Sequence, residues 1–249
     1  MKKLIVGNWK EHFNPGAASA YYNKLAKLVD DVEAEVVLCP PMLDIYPLSG
    51  EIDKKRFQLG AQNLYYENEG PYTGETSAAM LKGLVDYAII GHSERRIKFS
   101  EVNLMIAKKV AAAQRNKIKP ILCIGETLFD RSEELTSRVI VDQLTVGLHF
   151  ITKPELAEIA IAYEPVWAIG TGNFARPDDV APIAKLIHQT ITELFGEGTP
   201  DVRVLYGGSV DPDNAAAYLD IPGVDGLLVG GASVIAEQFA RIIYAAGNR

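Results

Sequence analysis

The chain has 249 residues, 48% of them hydrophobic, and a formal net charge of -7 from 25 Lys and Arg against 32 Asp and Glu. Those values suit a single soluble domain at the large end of the usual range. The acidic balance argues against nucleic acid or an anionic membrane as partner, while leaving room for a local basic cradle around a small anion.

In chain order, the N-terminus reaches Asn8-Trp9-Lys10 before any apolar run long enough for a signal peptide or membrane span, so a cytoplasmic location is expected. Eight short apolar, β-branched runs then alternate with longer segments of helical period: Leu4–Trp9, Glu35–Pro40, Phe57–Asn63, Tyr87–Ser93, Pro120–Glu126, Glu158–Pro165, Val202–Gly208 and Gly226–Gly231. Cys39 and Cys123 fall inside two of these runs, with neither redox nor metal-ligand spacing, and read as buried thiols. After Arg176, residues Val180, Ile183, Ala184, Ile187, Ile191 and Leu194 share one helical face, and Pro177-Asp178-Asp179 suits a first turn. No Gly/Ser-rich or low-complexity stretch divides the chain. Eightfold βα alternation over residues 1–249 predicts one α/β domain, a closed parallel (β/α)8 barrel rather than an open doubly wound sheet.

Polar chemistry collects where these runs end. The first finishes in Asn8-Trp9-Lys10, the fourth in Gly91-His92-Ser93-Glu94-Arg95-Arg96, the sixth in Tyr163-Glu164-Pro165, the seventh in Tyr206-Gly207-Gly208-Ser209 and the eighth in Gly230-Gly231-Ala232-Ser233. In a parallel barrel all C-terminal strand ends open on one face, which brings Lys10, His92 and Glu164 together. The strand starts show no comparable cluster in the sequence.

These stretches, with Ala162-Tyr163-Glu164-Pro165-Val166-Trp167-Ala168-Ile169-Gly170-Thr171-Gly172 and the shorter Gly60-Ala61-Gln62-Asn63, Tyr72-Thr73-Gly74-Glu75 and Cys123-Ile124-Gly125-Glu126-Thr127, resemble the motifs of the triosephosphate isomerase family over the whole chain. The resemblance implies a TIM barrel that interconverts dihydroxyacetone phosphate and D-glyceraldehyde 3-phosphate in glycolysis and gluconeogenesis, without metal or organic cofactor, usually as a homodimer. It implies catalytic places for Asn8, Lys10, His92, Glu94 and Glu164. Contacts to substrate or its phosphate would come from Asn8, Lys10, Gly170, Ser209, Gly230 and Gly231. The pairing of a carboxylate base with a neutral histidine is taken from that family's known chemistry.

The residues suit those roles chemically. Moving a carbonyl to the neighbouring carbon requires removal of an α proton, for which Glu164 is an available base; taken alone, it could equally be a solvated loop glutamate. The resulting enediolate needs a donor. His92 can supply one, and a short helix opening at Ser93-Glu94 would disfavour its charged form, although a lone histidine here also fits a structural role. Lys10 adds fixed positive charge, and Glu94 resembles the family's partner for that lysine. Gly207-Gly208-Ser209 and Gly230-Gly231 let backbone N–H groups approach an anion, though either pair alone fits a tight turn as well.

Gly170 to Ala175 also satisfies G-x-G-x-x-A, which would suit a dehydrogenase. A dinucleotide fingerprint needs its first glycine directly after the strand and a helix opening across it, whereas Pro165 to Ile169 intervene and Pro177 suits a later helix start. The better reading is a lid of Pro165, Val166, Trp167, Ala168, Ile169, Gly170, Thr171, Gly172, Asn173, Phe174 and Ala175, whose apolar members exclude water over Glu164. Two stretches depart from the family pattern: Glu11-His12 after Lys10, in the region that receives a partner's Tyr72–Glu75 loop, and Asn173-Phe174-Ala175 at the rear of the lid. A barrel that binds a phosphosugar without turnover, a non-catalytic scaffold and another phosphosugar isomerase or epimerase remain alternatives at this stage.

Overall fold

Each apolar run becomes a strand because β-branched side chains pack well on a pleated surface covered on both faces. The computed structural model describes residues 1–168 and 174–247. Its strands are β1 (Lys3–Asn8), β2 (Ala34–Cys39), β3 (Gln58–Ala61), β4 (Tyr87–Ile90), β5 (Lys119–Ile124), β6 (Ala160–Tyr163), β7 (Arg203–Tyr206) and β8 (Gly226–Val229). All pair in parallel and in sequence order, and β1 pairs with β8 to close the barrel.

Side chains alternate between two apolar layers. Leu4, Val6, Val37, Cys39, Ile89, Ile121, Cys123, Ala160, Ala162, Leu205 and Leu228 fill the barrel, while a larger cluster packs between strands and helices. Both cysteines are buried free thiols in the inner layer, as expected. The period of two carries past the last apolar residue: Leu4 and Val6 share a file with Asn8, and Ala160 and Ala162 with Glu164. The strands therefore aim these two polar residues along the barrel's interior at its C-terminal rim.

The helix Pro177–Phe195 forms as read, with Asp179 accepting from the Arg176 N–H at 3.0 Å and Val180, Ile183, Ala184, Ile187 and Ile191 buried. Leu194 departs from the expected face. It lies in the last turn before the Gly196 cap, at the surface, and is 41% exposed.

The N-terminal rim corrects a second expectation, since it carries a polar plug. Glu35, Gln58, Tyr87 and Arg203 stand near the starts of β2, β3, β4 and β7. Glu35 Oε1 accepts from Tyr87 Oη at 2.6 Å and from Gln58 Nε2 at 3.1 Å, and Arg203 donates to Glu35 Oε2 and to Tyr87 Oη, the latter at 2.7 Å. Each member comes from a different run, so only the barrel register reveals the group.

Burial alone would raise the Glu35 carboxyl; hydrogen bonds from Tyr87 and Arg203 prevail and hold it below the usual carboxylate range. A depressed folded-state pKa stabilises the fold above the unfolded value, and the contribution is lost as pH falls through the folded value. Glu35→Ala, which strands the Arg203 and Tyr87 donors, is expected to cost about 1–3 kcal/mol at neutral pH. Glu35→Gln should flatten the acid limb of stability against pH. Equilibrium urea unfolding of the three proteins from neutral to acid pH checks both expectations; identical acid limbs would remove Glu35 from the acid response.

Candidate active site

The chain leaves β1 through a backbone that most residues avoid. Lys10 has φ +52°, a left-handed conformation that costs an L-residue roughly 1–2 kcal/mol. It is held from both sides: its N–H donates to Asn8 Oδ1 at 3.2 Å, and its carbonyl accepts from Gln62 Nε2 at 2.8 Å. From there the ammonium reaches Glu94 Oε1 at 2.7 Å.

His92 caps the short helix Ser93–Lys98, its Nδ1 accepting the Glu94 N–H at 3.2 Å. Because Nδ1 is an acceptor, the neutral ring carries its proton on Nε2. That nitrogen lies 2.9 Å from Glu164 Oε1. The other carboxylate oxygen, Oε2, accepts the Ser93 N–H at 2.8 Å. Glu164 is 1% exposed, and its Oε1, although close to His92, has no aligned hydrogen-bond donor. The carboxylate thus has the Ser93 amide on one oxygen and the His92 ring beside the other.

Two glycines make the position possible. A Cβ at Gly125 would stand 1.7 Å from the Glu164 carbonyl oxygen, and one at Gly207 would stand 3.0 Å from its Cγ.

Above these groups opens a cavity of about 690 Å³. Among the described residues its wall includes Asn8, Lys10, His92, Ser93 and Glu94 together with Gly207, Gly208, Ser209, Gly230, Gly231, Val166 and Phe174. Glu164 sits behind His92 and Ser93 and is not part of the wall. Ser209 Oγ donates to the Ala168 carbonyl at 3.0 Å. The sequence-predicted cluster is thus brought together, with Glu164 one layer below the cavity wall.

Of the expected lid, Val166, Trp167 and Ala168 form a short 3-10 turn after Pro165. Phe174 is half exposed and Ala175 buried, its carbonyl accepting from Tyr218 Oη at 2.7 Å. Ile169, Gly170, Thr171, Gly172 and Asn173 lie outside the described residues, so the phosphate contact expected of Gly170 does too. The helix begins at Pro177, after the glycine motif, which goes against the dinucleotide fingerprint. Among the described residues, no three His, Cys, Asp or Glu side chains are placed to hold a metal ion.

Three residues here carried no assigned role in the sequence reading. Glu126, fully buried, accepts from Tyr163 Oη at 3.1 Å and from Trp167 Nε1 at 2.8 Å, and burial pushes its carboxyl above the usual range. Arg96 donates to the carbonyls of Gly91 and Cys123 at 2.7 and 2.9 Å, tying the ends of β4 and β5. Gln62 bridges the ends of β1 and β2 by donating to the carbonyls of Lys10 and Cys39. Their place at strand ends was the available signal.

A closed barrel of eight parallel strands, with ionisable groups and glycine turns gathered at its C-terminal rim, is the architecture of the (β/α)8 enzymes. A sequence model described as "Triosephosphate isomerase" matches residues 3–246. The triosephosphate isomerase of Caldanaerobacter subterraneus subsp. tengcongensis is 45% identical over 244 residues, covering 97% of this chain and 98% of the relative. That of Carboxydothermus hydrogenoformans is 42% identical over 245 residues, with the same coverage of both chains. The crystal structure of the Bartonella henselae enzyme superposes with a TM-score of 0.89 at 34% identity, covering 98% of this chain and 99% of the other. The chain belongs to the triosephosphate isomerase family.

The electrostatics of His92 differ from the expectation based on its helix alone. Burial lowers its pKa, but the Glu164 carboxylate raises it further, and the net direction is upward from the usual histidine value. With a raised folded-state pKa, the contribution to stability is full below the unfolded value and is lost as pH rises through the folded one. Replacing Glu164 by Gln removes the main opposing charge, so the His92 midpoint should fall. Nitrogen NMR of labelled His92 across acid and neutral pH measures it in both proteins, and an unchanged midpoint would rule out Glu164 as the cause.

Proposed function

We propose that this barrel interconverts dihydroxyacetone phosphate and D-glyceraldehyde 3-phosphate through an enediolate. The observation that carries the reading is the buried Glu164 carboxylate 2.9 Å from His92 Nε2, next to a cavity lined by Lys10 and by glycine turns. The substrate phosphate sits against Gly207-Gly208-Ser209 and Gly230-Gly231, where amide N–H groups meet an anion, and Gly170 adds a further contact. Lys10 and Asn8 hold the oxygen-bearing end of the substrate.

Catalysis then divides between two groups. Glu164 abstracts the proton α to the carbonyl and returns it to the neighbouring carbon. Its side chain rotates off the Ser93 amide to do so, because in the present position it lies behind the wall. His92 Nε2–H donates to the oxygens on which charge develops. Rotation of the carboxylate also removes the charge that raises the His92 pKa, which favours the neutral donor at the moment it acts. Glu94 holds the Lys10 ammonium. Burial raises the Glu94 carboxyl, but the hydrogen-bonded Lys10 ammonium prevails and keeps it low and ionised. The lid from Pro165 to Ala175 excludes water while the enediolate exists.

The same reading makes the protein a cytoplasmic homodimer. A second opening of about 610 Å³ lies on the outer side of Lys10, lined by Glu11, His12, Gln62, Asn63, Arg95 and Phe99. It is the place for a partner's Tyr72-Thr73-Gly74-Glu75 loop. Support comes from the exposed Leu43 and Tyr46, about 80% accessible each, an apolar cost that a partner removes. Unpaired thiols suit a reducing compartment.

A coupled assay with each triose phosphate tests the reaction, and no turnover of either would overturn it. Glu164→Gln should keep a folded protein that binds substrate while kcat falls on the order of 10²–10⁴-fold. Near-normal turnover would remove Glu164 as the base. Light scattering should give twice the chain mass of 27.2 kDa; a monomer that keeps full activity at nanomolar dilution would refute the dimer and its catalytic role.

A further inference from the structure

Among the described residues of the cavity wall, Lys10 is the one whose side chain is delivered by an unfavourable backbone. Its φ of +52° turns the Lys10 carbonyl away from the β1–β2 ladder, whose register ends at Asn8↔Cys39. Two carbonyls then stand beyond the ladder near each other, those of Lys10 and Cys39. The Gln62 carboxamide nitrogen meets both, at 2.8 and 2.9 Å, one hydrogen to each. The Cys39 carbonyl also receives the Trp9 N–H at 3.1 Å, so the turn Trp9-Lys10 is fastened on consecutive residues. On the far side Asn8 Oδ1 takes the Lys10 N–H.

We propose that Gln62 is a positioning residue for Lys10: its amide holds the left-handed turn from which the ammonium reaches both Glu94 and the cavity. The proposal rests on the isomerase reading of that cavity and adds a residue to it. A left-handed lysine persists only where its surroundings over-determine it. Without the Gln62 N–H groups the Lys10 carbonyl loses its partner, and a right-handed or extended backbone would carry the ammonium away from Glu94. Shape alone does not serve. Glu or Met at position 62 fills a similar volume but donates no hydrogen bond to a carbonyl.

A residue that merely bridges two strands would give a loss of stability, and any loss of activity would be independent of Lys10. A residue that acts through Lys10 gives a loss that vanishes when Lys10 is already gone. The test is therefore a double-mutant cycle on the full-length protein with Gln62→Met, Lys10→Ala and their combination, read as kcat/KM for triose phosphate. Gln62→Met should lower kcat/KM by about tenfold or more, and the double variant should lie within about twofold of Lys10→Ala. Multiplied losses in the double variant, or unchanged kcat/KM in Gln62→Met, would overturn the proposal. Should Gln62→Met fail to fold, Gln62→Asn, which keeps both N–H groups one methylene short, takes its place with the same two criteria. The cycle is repeated with inorganic phosphate affinity as the readout, by calorimetry, which requires no turnover. An unmodified protein that binds phosphate with the saturating cycle but isomerises neither triose phosphate would refute the isomerase reading and leave the positioning role standing.

Discussion

Closure of the barrel depends on a place where no side chain fits. Gly226 pairs with Leu4 of β1 and Leu205 of β7, and a Cβ there would stand 1.9 Å from the Leu4 carbonyl oxygen. If β8 could not approach β1, the same eight strands would form an open sheet, with first and last strands roughly 34 Å apart at ordinary spacing. Closed, they bring Lys10 Cε to 3.4 Å from where a Gly230 Cβ would be. The approach of the Lys10 cation to the Gly230 turn follows from that one contact between the ends of the sheet.

Within the closed barrel, the site is an arrangement of opposed tendencies held by backbone. Burial disfavours charge on His92, yet the ring faces the Glu164 carboxylate at 2.9 Å. The Ser93 N–H stabilises one carboxylate oxygen, and the Glu94 N–H fixes the ring tautomer. Both donors come from the same first turn, so one short helix orients the Glu164 and His92 side chains together.

Much of this was legible before any coordinates. The β-branched runs marked all eight strands, and the residues at their ends located Lys10, His92 and Glu164 on one rim, because strand period and barrel topology leave little freedom. The N-terminal plug escaped notice for the opposite reason. Glu35, Gln58, Tyr87 and Arg203 are isolated in sequence and form a group only through register. Ser93 acts through its amide, which every residue but proline has, and so its side chain carried no signal. Leu194 obeyed the helical period, but the period cannot tell where the packed face ends. The direction of the His92 shift needed a distance, since a helix terminus and a carboxylate push it in opposite ways.

Lys10 is tied to His92 by charge as well as by position. At His92 the Lys10 ammonium lowers the pKa and the Glu94 carboxylate raises it. The two are bound to each other at 2.7 Å, so their effects largely oppose. If the ammonium drifts outward, the Glu94 carboxylate is left unscreened 3.7 Å from Nδ1, and the ring moves toward its charged form. A lysine fixed by its own strained turn, with Gln62 and Asn8 on either side, therefore does more than attract an anion. It also offsets the Glu94 carboxylate at the neighbouring imidazole, whose charge state it helps to set.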